Sequence, residues 1–142
     1  MAGGGNTANM LAIWHLHGFD LALQKALAEG VILAGMSAGS ICWFQFGVDD
    51  SFGEDLKSLE CLGFLKGSNC PHYNINPKFR LAFHDLIQSG MPPGLAADDD
   101  VGLHFKNGEL YKVISSRSDA KAYKVKSGIL GISEKIIKPV VL

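Results

Sequence analysis

The sequence predicts an α/β fold in which a mostly parallel sheet is covered by helices. Segments with strand and helix patterns alternate along the chain, as they do in proteins with parallel sheets. The first strand candidate, Val31 to Ala34, is apolar at every position, which is typical of a strand buried on both faces. With 142 residues, the chain has the length of one domain, so we expect residues 1–142 to form a single unit.

The first part of the chain is expected to be helical. Residues Thr7 to Glu29 are rich in helix-forming residues, with Asn6 or Thr7 suited to cap the first turn. Gly18 is expected to divide this region into two helices. After the strand at 31–34, the run from Ala38 to Phe46 is compatible with a further helix.

The second part combines strands, one helix and a hairpin. Asn107-Gly108 is a strong signal for a tight turn between two strands. The helix has apolar residues at helical spacing and ends at a glycine. The expected elements are, in order, a polar loop at 47–53, a strand ending in a loop at 68–73, a helix at 77–89, strands at 95–97, 101–105 and 109–114, and edge strands from 122 onward.

Composition excludes several classes of protein. The net charge is −1 with no basic stripe, which argues against nucleic acid or an anionic membrane as partner. No apolar run reaches the ~20 residues of a membrane span, and no signal peptide is recognisable, so we expect a cytoplasmic protein. Cys42, Cys61 and Cys70 show no C-x-x-C spacing, which predicts reduced thiols rather than a disulfide framework or a zinc site. No metal or cofactor is expected.

The stretch Gly35-Met36-Ser37-Ala38-Gly39-Ser40 lies between the predicted strand and the following helix. This is the pattern of a nucleophile elbow, in which a serine at a sharp turn points its hydroxyl out at the carboxyl end of a sheet. The N–H groups at the start of the helix point to the place where an oxyanion would develop. The alternative is an ordinary Gly-Ser turn without a catalytic role.

A serine nucleophile needs a histidine base, and His72 is the candidate. It follows an apparent strand at the start of a loop, where parallel-sheet enzymes present their chemistry. His15 and His17 lie two positions apart on a predicted helix and face different directions. His84 and His104 lie within a predicted helix and a predicted strand, where surface histidines are common.

Six motifs together resemble the peptidase family that contains dipeptidase E and cyanophycinase. They occur in the order found in that family and extend over nearly the whole chain. The motifs are Gly3-Gly4-Gly5-Asn6-Thr7, Gly35-Met36-Ser37-Ala38-Gly39-Ser40, Asp49-Asp50-Ser51-Phe52-Gly53, Leu62-Gly63-Phe64-Leu65, Pro71-His72-Tyr73 and Ala97-Asp98-Asp99-Asp100.

This resemblance implies a three-layer α/β/α fold akin to class I glutamine amidotransferase domains, with a serine as nucleophile. It implies Ser37 as the nucleophile, His72 as the base and Asp50 as the acid that orients the imidazole. Gly5 and Ala38 would supply the N–H groups of the oxyanion hole.

Other carboxylates compete with Asp50 for the role of orienting acid. Asp49 and Glu54 are close to it in sequence. The run from Asp98 to Asp100 is a more distant rival, and we interpret it as a solvated or helix-capping turn, because charge runs usually face water.

The substrate implied by the resemblance is a short peptide with an aspartyl residue on the acyl side of the scissile bond. An acidic side chain needs a cation in its pocket, and Arg80 is the candidate, with an exposed helix arginine as the alternative. Asn6 is assigned to substrate binding as well. The chain lacks an insertion of the size expected for a groove that binds the polymer cyanophycin.

The chain departs from the family at its start, where only Met1 and Ala2 precede the glycine-rich loop. Relatives have a strand before this loop and another strand with its helices before that. We therefore expect a partial domain with an unpaired sheet edge, which a homodimer could cover. The alternative function is a non-catalytic remnant, or a subunit that needs a partner chain to complete the sheet.

Overall fold

The computed structural model describes residues 1–142, and it confirms the α/β class. The four helices are α1 (Thr7–Leu16), α2 (Phe19–Ala28), α3 (Ala38–Ile41) and α4 (Pro77–Gln88). The nine strands are β1 (Phe44–Asp49), β2 (Lys57–Glu60), β3 (Leu65–Cys70), β4 (Gly94–Ala97), β5 (Val101–Lys106), β6 (Glu109–Ser115), β7 (Ala122–Gly128), β8 (Gly131–Ile137) and β9 (Val140–Val141).

The main sheet has six strands in the order β2-β1-β3-β4-β7-β8. Only the pairs β1–β3 and β3–β4 are parallel, so the sheet is mixed rather than mostly parallel as predicted. Connection length explains the difference. Helix α4 joins β3 to β4, as a parallel pair requires, whereas two turn residues join β7 to β8, and such a turn permits only antiparallel pairing.

A smaller sheet contains β5, β6 and β9. The predicted turn at Asn107-Gly108 is confirmed, because both residues have positive φ (52° and 80°) and connect the antiparallel strands β5 and β6. This conformation is the reason for the Asn-Gly pair.

The first two helices form as predicted. Asn6 caps α1 by accepting a hydrogen bond from the Asn9 N–H at 2.8 Å. Gly18, with φ of 66°, separates α1 from α2, a conformation that costs glycine little.

Two hydrophobic clusters hold the layers together. The larger joins α4 to the main sheet through residues such as Phe83, Val48 and Val125, each at most 1% exposed. The smaller packs Leu11 of α1 against the start of β1 around Trp43. Each cluster therefore seats a different helix against the strands.

Three predicted elements differ from the structure. Val31 to Ala34 forms no strand, and only a single bridge between Ala2 and Gly35 pairs this region. A strand needs a neighbour to receive its hydrogen bonds, and this segment has almost none. The helix after Ser37 ends at Ile41, because β1 begins at Phe44. That strand also takes residues 47–49 from the predicted polar loop and buries them.

Candidate active site

The turn around Ser37 has the geometry of a nucleophile elbow. Ser37 has φ of 54° and ψ of −120°, a sparsely populated conformation for a residue with a side chain. Its flanking glycines are needed for space: a Cβ at Gly35 would overlap the Gly39 backbone, and a Cβ at Gly39 would overlap the Ala2 carbonyl. The strained turn is thus held by close backbone packing on both sides.

Ser37, His72 and Asp99 form a continuous hydrogen-bonded chain. Ser37 Oγ lies 3.0 Å from His72 Nε2, and His72 Nδ1 lies 2.7 Å from Asp99 Oδ1. With the proton on Nδ1, the imidazole donates to the carboxylate and its Nε2 accepts the serine hydroxyl. This arrangement is the one required for general-base activation of a serine.

Parallel pairing of β3 with β4 brings the histidine and the carboxylate together. Cys70 is paired with Ala96 in the register of these strands. His72 comes two residues after Cys70, and Asp99 comes three residues after Ala96. Both side chains therefore leave the same edge of the sheet, at the carboxyl ends of adjacent strands.

The two loops that carry His72 and Asp99 are also hydrogen-bonded to each other. Tyr73 donates its backbone N–H to Ala97 O at 3.1 Å, and Asp99 donates its own to Asn74 Oδ1 at 2.9 Å. His72 itself has a positive φ of 58°, so the surrounding bonds must hold a backbone conformation that is unfavourable by itself.

Asp50, the predicted partner of His72, does not contact its imidazole in the structure, and Asp99 takes that position. Strand β1 continues through Asp49, which is buried and accepts a hydrogen bond from the Ser51 N–H. Asp50 is left exposed at the start of the following turn. It lines a small pocket beside His72 but makes no hydrogen bond to it. The other rival, Glu54, is exposed.

The three consecutive aspartates differ in their contacts, and Asp99, which is bonded to His72, does not fit the interpretation of the run as a simple solvated turn. Asp98 is buried and accepts from the Lys121 N–H at 2.8 Å, and burial raises the pKa of its carboxyl. Asp100 lies 3.7 Å from Arg117. The signal that could have identified Asp99 is its place just after an apolar strand, equivalent to that of His72.

The predicted oxyanion-hole residues lie beside the serine. Gly5 and Ala38 line one pocket of about 240 Å³ together with Ser37 and His72. A Cβ at Gly4 would lie 3.4 Å from Ser37 Cβ, so the glycine-rich loop is directly against the elbow. As the first residue of α3, Ala38 has an N–H without an acceptor inside the helix.

The two predicted substrate-binding residues are occupied elsewhere. Arg80 makes two hydrogen bonds to Glu134 and lines neither pocket at Ser37. Asn6 caps α1 with its oxygen and donates its amide nitrogen to Ser51 O at 2.9 Å. Both side chains are therefore engaged in contacts within the fold, and Asn6 also lines neither of the two pockets.

A larger cleft of about 1260 Å³ also opens at the hydrogen-bonded chain of Ser37, His72 and Asp99. Its walls include Ser37 and His72 and several apolar side chains, among them Leu33, Phe64 and Phe105. Lys106 is the only lysine or arginine among the lining residues, and its Nζ lies 3.8 Å from the centre of the Tyr111 ring. The cleft can therefore receive an apolar group with one cation at its margin.

The cysteines stay free, and burial raises the pKa of Cys42 and of Cys61 to about 12. Thiols of that kind are poor nucleophiles at neutral pH. No group of three or more His, Cys, Asp or Glu side chains is arranged to hold a metal ion. None of the helices has the length and apolar character needed to cross a membrane.

The sequence matches the family model described as Peptidase family S51 over residues 1–113. It is similar to a Bacillus subtilis protein named uncharacterized peptidase YgaJ, with 52% identity over 124 residues. The match covers 87% of this chain and 54% of the relative, so the chain spans about half the length of that protein.

Proposed function

The chain belongs to peptidase family S51, and we propose that it is a serine peptidase with a triad of Ser37, His72 and Asp99. The observation that carries the proposal is the chain of contacts of 3.0 Å and 2.7 Å from the serine through the imidazole to the carboxylate. A serine hydroxyl does not ionise at neutral pH, so a neutral imidazole beside it is the means of activation.

In the first half of the reaction, Ser37 Oγ attacks the peptide carbonyl while His72 Nε2 takes the hydroxyl proton. Asp99 stabilises the resulting imidazolium and keeps its Nδ1 proton in place. The N–H groups of Gly5 and Ala38 would stabilise the oxyanion. The C–N bond then breaks, the imidazolium donates its proton to the leaving amine, and an acyl-enzyme remains.

In the second half, a water molecule attacks the acyl-enzyme. His72 takes one proton from the water, the bond to Ser37 Oγ breaks, and the imidazolium returns its proton to the serine. The products are a carboxylic acid and the free enzyme. No redox step or cofactor takes part in this sequence.

For the substrate, we propose a short peptide with an aspartyl residue on the acyl side. Because Arg80 is paired with Glu134, Lys106 at the cleft becomes the candidate cation for that carboxylate. A single lysine provides a point charge without bidentate geometry. Comparing hydrolysis of aspartyl and asparaginyl peptides by Lys106→Met and by wild-type protein tests this assignment.

A second candidate function is a subunit that acts only with a partner chain. It is favoured by the segment at 31–34, which lacks strand neighbours, and by α2, which has no buried residue. In this case the same triad would be assembled but poorly supported until the partner binds.

The test of the triad is labelling by a serine-directed fluorophosphonate, with the adduct mapped by mass spectrometry. We expect wild-type protein to be labelled at Ser37 and His72→Ala to lose labelling. His17→Ala, which changes an exposed histidine, is the matched control and should react like wild type. Equal labelling of the His72 variant, or no adduct in folded wild-type protein, would refute the triad.

A further inference from the structure

A polar cluster adjoins the candidate active site through Tyr73, the residue that follows His72. We define the Glu134 cluster as Glu134, Tyr73, Arg80 and His84. Tyr73 donates its hydroxyl to Glu134 Oε2 at 2.7 Å, and His84 Nε2 lies 3.0 Å from the same oxygen. Arg80 donates through Nε at 3.1 Å and through Nη2.

Glu134 has polar partners at both carboxylate oxygens. The Tyr73 hydroxyl, Arg80 Nε and His84 Nε2 contact Oε2, and Arg80 Nη2 contacts Oε1. His84 Nε2 also lies 2.9 Å from the Tyr73 hydroxyl oxygen. The Arg80 guanidinium is the partner that most strongly holds the pKa of Glu134 down, to about 2, against the opposing effect of burial. Glu134 is therefore charged at neutral pH and attracts all its donors.

The cluster joins three separate parts of the chain. Glu134 lies on β8, Arg80 and His84 lie on α4, and Tyr73 lies in the loop between β3 and α4. Strand β8 also lies beyond the residues that match the family model. A strand outside the matched region thus contacts the loop that carries the base.

Tyr73 is the link between this cluster and the catalytic chain, since it follows His72 directly. Its side chain is 3% exposed, and its ring lies 5.0 Å from the Tyr123 ring and 5.0 Å from the Arg80 guanidinium carbon. Its backbone N–H is bonded to Ala97 O. The residue is thus fixed at both ends, which restricts the peptide plane that it shares with His72.

We propose that Tyr73 and Glu134 are positioning residues for His72. The hydroxyl-carboxylate bond between them holds the His72 backbone at its unfavourable positive φ, and so keeps Nε2 within reach of Ser37 Oγ. Neither residue touches the reacting atoms. The expected change in kcat rests on the proposed function. The position of the His72 imidazole can be measured without turnover.

The decisive variant is Tyr73→Phe, which removes one oxygen and leaves the buried ring in place. We expect kcat to fall roughly 10- to 100-fold with little change in KM, because small displacements of catalytic groups reduce rate on that scale. Glu134→Gln, which keeps an acceptor oxygen without the charge, should give a smaller fall in kcat. Glu109→Gln changes an exposed glutamate and serves as the control.

A second readout separates this inference from the proposed function. The Nδ1 proton of His72, bonded to Asp99, should give a downfield NMR signal that weakens or moves in Tyr73→Phe and is unchanged in Glu109→Gln. If wild-type protein neither labels nor hydrolyses but this shift occurs, the positioning role stands and the proposed function fails. If Tyr73→Phe keeps both the signal and kcat, the positioning role is wrong.

Discussion

The two halves of the hydrogen-bonded chain of Ser37, His72 and Asp99 are supported very differently. His72 and Asp99 follow adjacent strands of a six-stranded sheet, and their loops are hydrogen-bonded to each other and backed by a buried core. Ser37 follows a segment with a single bridge to Ala2. In that segment Ile32 is 90% exposed.

Two different features of the fold therefore hold the parts of the proposed triad in place. The relative position of His72 and Asp99 depends on the register of β3 and β4 in the main sheet. The position of the nucleophile depends on the close packing of Gly35, Gly39 and Ala2. We therefore expect the His72–Asp99 pair to withstand perturbations that displace Ser37.

The largest effect should come from replacing Asp99, whose loop is backed by the main sheet. Asp99→Asn should lower kcat by about 10⁴-fold, because the amide favours the wrong imidazole tautomer. Asp50→Asn, at an exposed position without contact to the His72 ring, should stay within a few-fold of wild type. Steady-state peptide hydrolysis measures both, and the reverse ranking would restore Asp50 as the orienting acid.

On the weakly supported side, Gly39→Ala should displace the elbow. The added methyl overlaps the Ala2 carbonyl, and such overpacking costs about 1–3 kcal/mol. Labelling of Ser37 should slow by about ten-fold or more, while the downfield His72 signal persists. Gly3→Ala, where an added Cβ meets no atom within 4 Å, is the control; unchanged labelling of Gly39→Ala would contradict the comparison.

The exposed apolar surface near Ser37 should favour self-association, and we propose a homodimer through this face. The surface includes Val31, Ile32 and Met36, which are exposed and line the same cleft as Ser37. Ile32→Lys should weaken the dimer about ten-fold or more, since burying such a side chain contributes about 1.5–3 kcal/mol. Sedimentation equilibrium gives the dissociation constant. Ile129→Lys, in the β7–β8 turn, is an equally exposed control, and a monomeric wild-type chain would disprove the dimer.

The smallest effect concerns the stability of the protein at low pH, through Glu134 beside the His72 loop. Since the pKa of Glu134 is lowered to about 2, its stabilising effect is complete above its ordinary value and is lost as pH falls toward 2. Glu134→Gln should therefore show a flatter decline of melting temperature between about pH 4.5 and pH 2. The melting temperature of Glu109→Gln should decline with pH as that of the wild type does. Identical melting curves for all three proteins would contradict the stabilising role of the Glu134 carboxylate.

Much of the local structure could be predicted because its causes are local. The α1 cap at Asn6, the break at Gly18 and the turn at Asn107-Gly108 depend on residues within a few positions of each other. The elbow motif and the position of His72 after a strand belong to the same category. Each of these predictions needed no knowledge of distant contacts.

The predictions that differ from the structure concern residues whose contacts involve a distant partner. Asp99 contacts a histidine 27 positions away, and Arg80 pairs with a glutamate 54 positions away. Strand pairing decides which side chains meet, and sequence patterns do not encode it directly. The apolar run at 31–34 has a buried-strand pattern, but only hydrogen-bonded neighbours make such a run a strand.

The positive φ of Ser37 and of His72 bears on how these two positions evolve. Both residues have positive φ, and conformations of this kind cost on the order of 1–3 kcal/mol each. Glycine would adopt either conformation without steric conflict, yet under the proposed function it would remove the nucleophile or the base. With that triad, selection for thermal robustness and selection for catalysis act in opposite directions at these two positions.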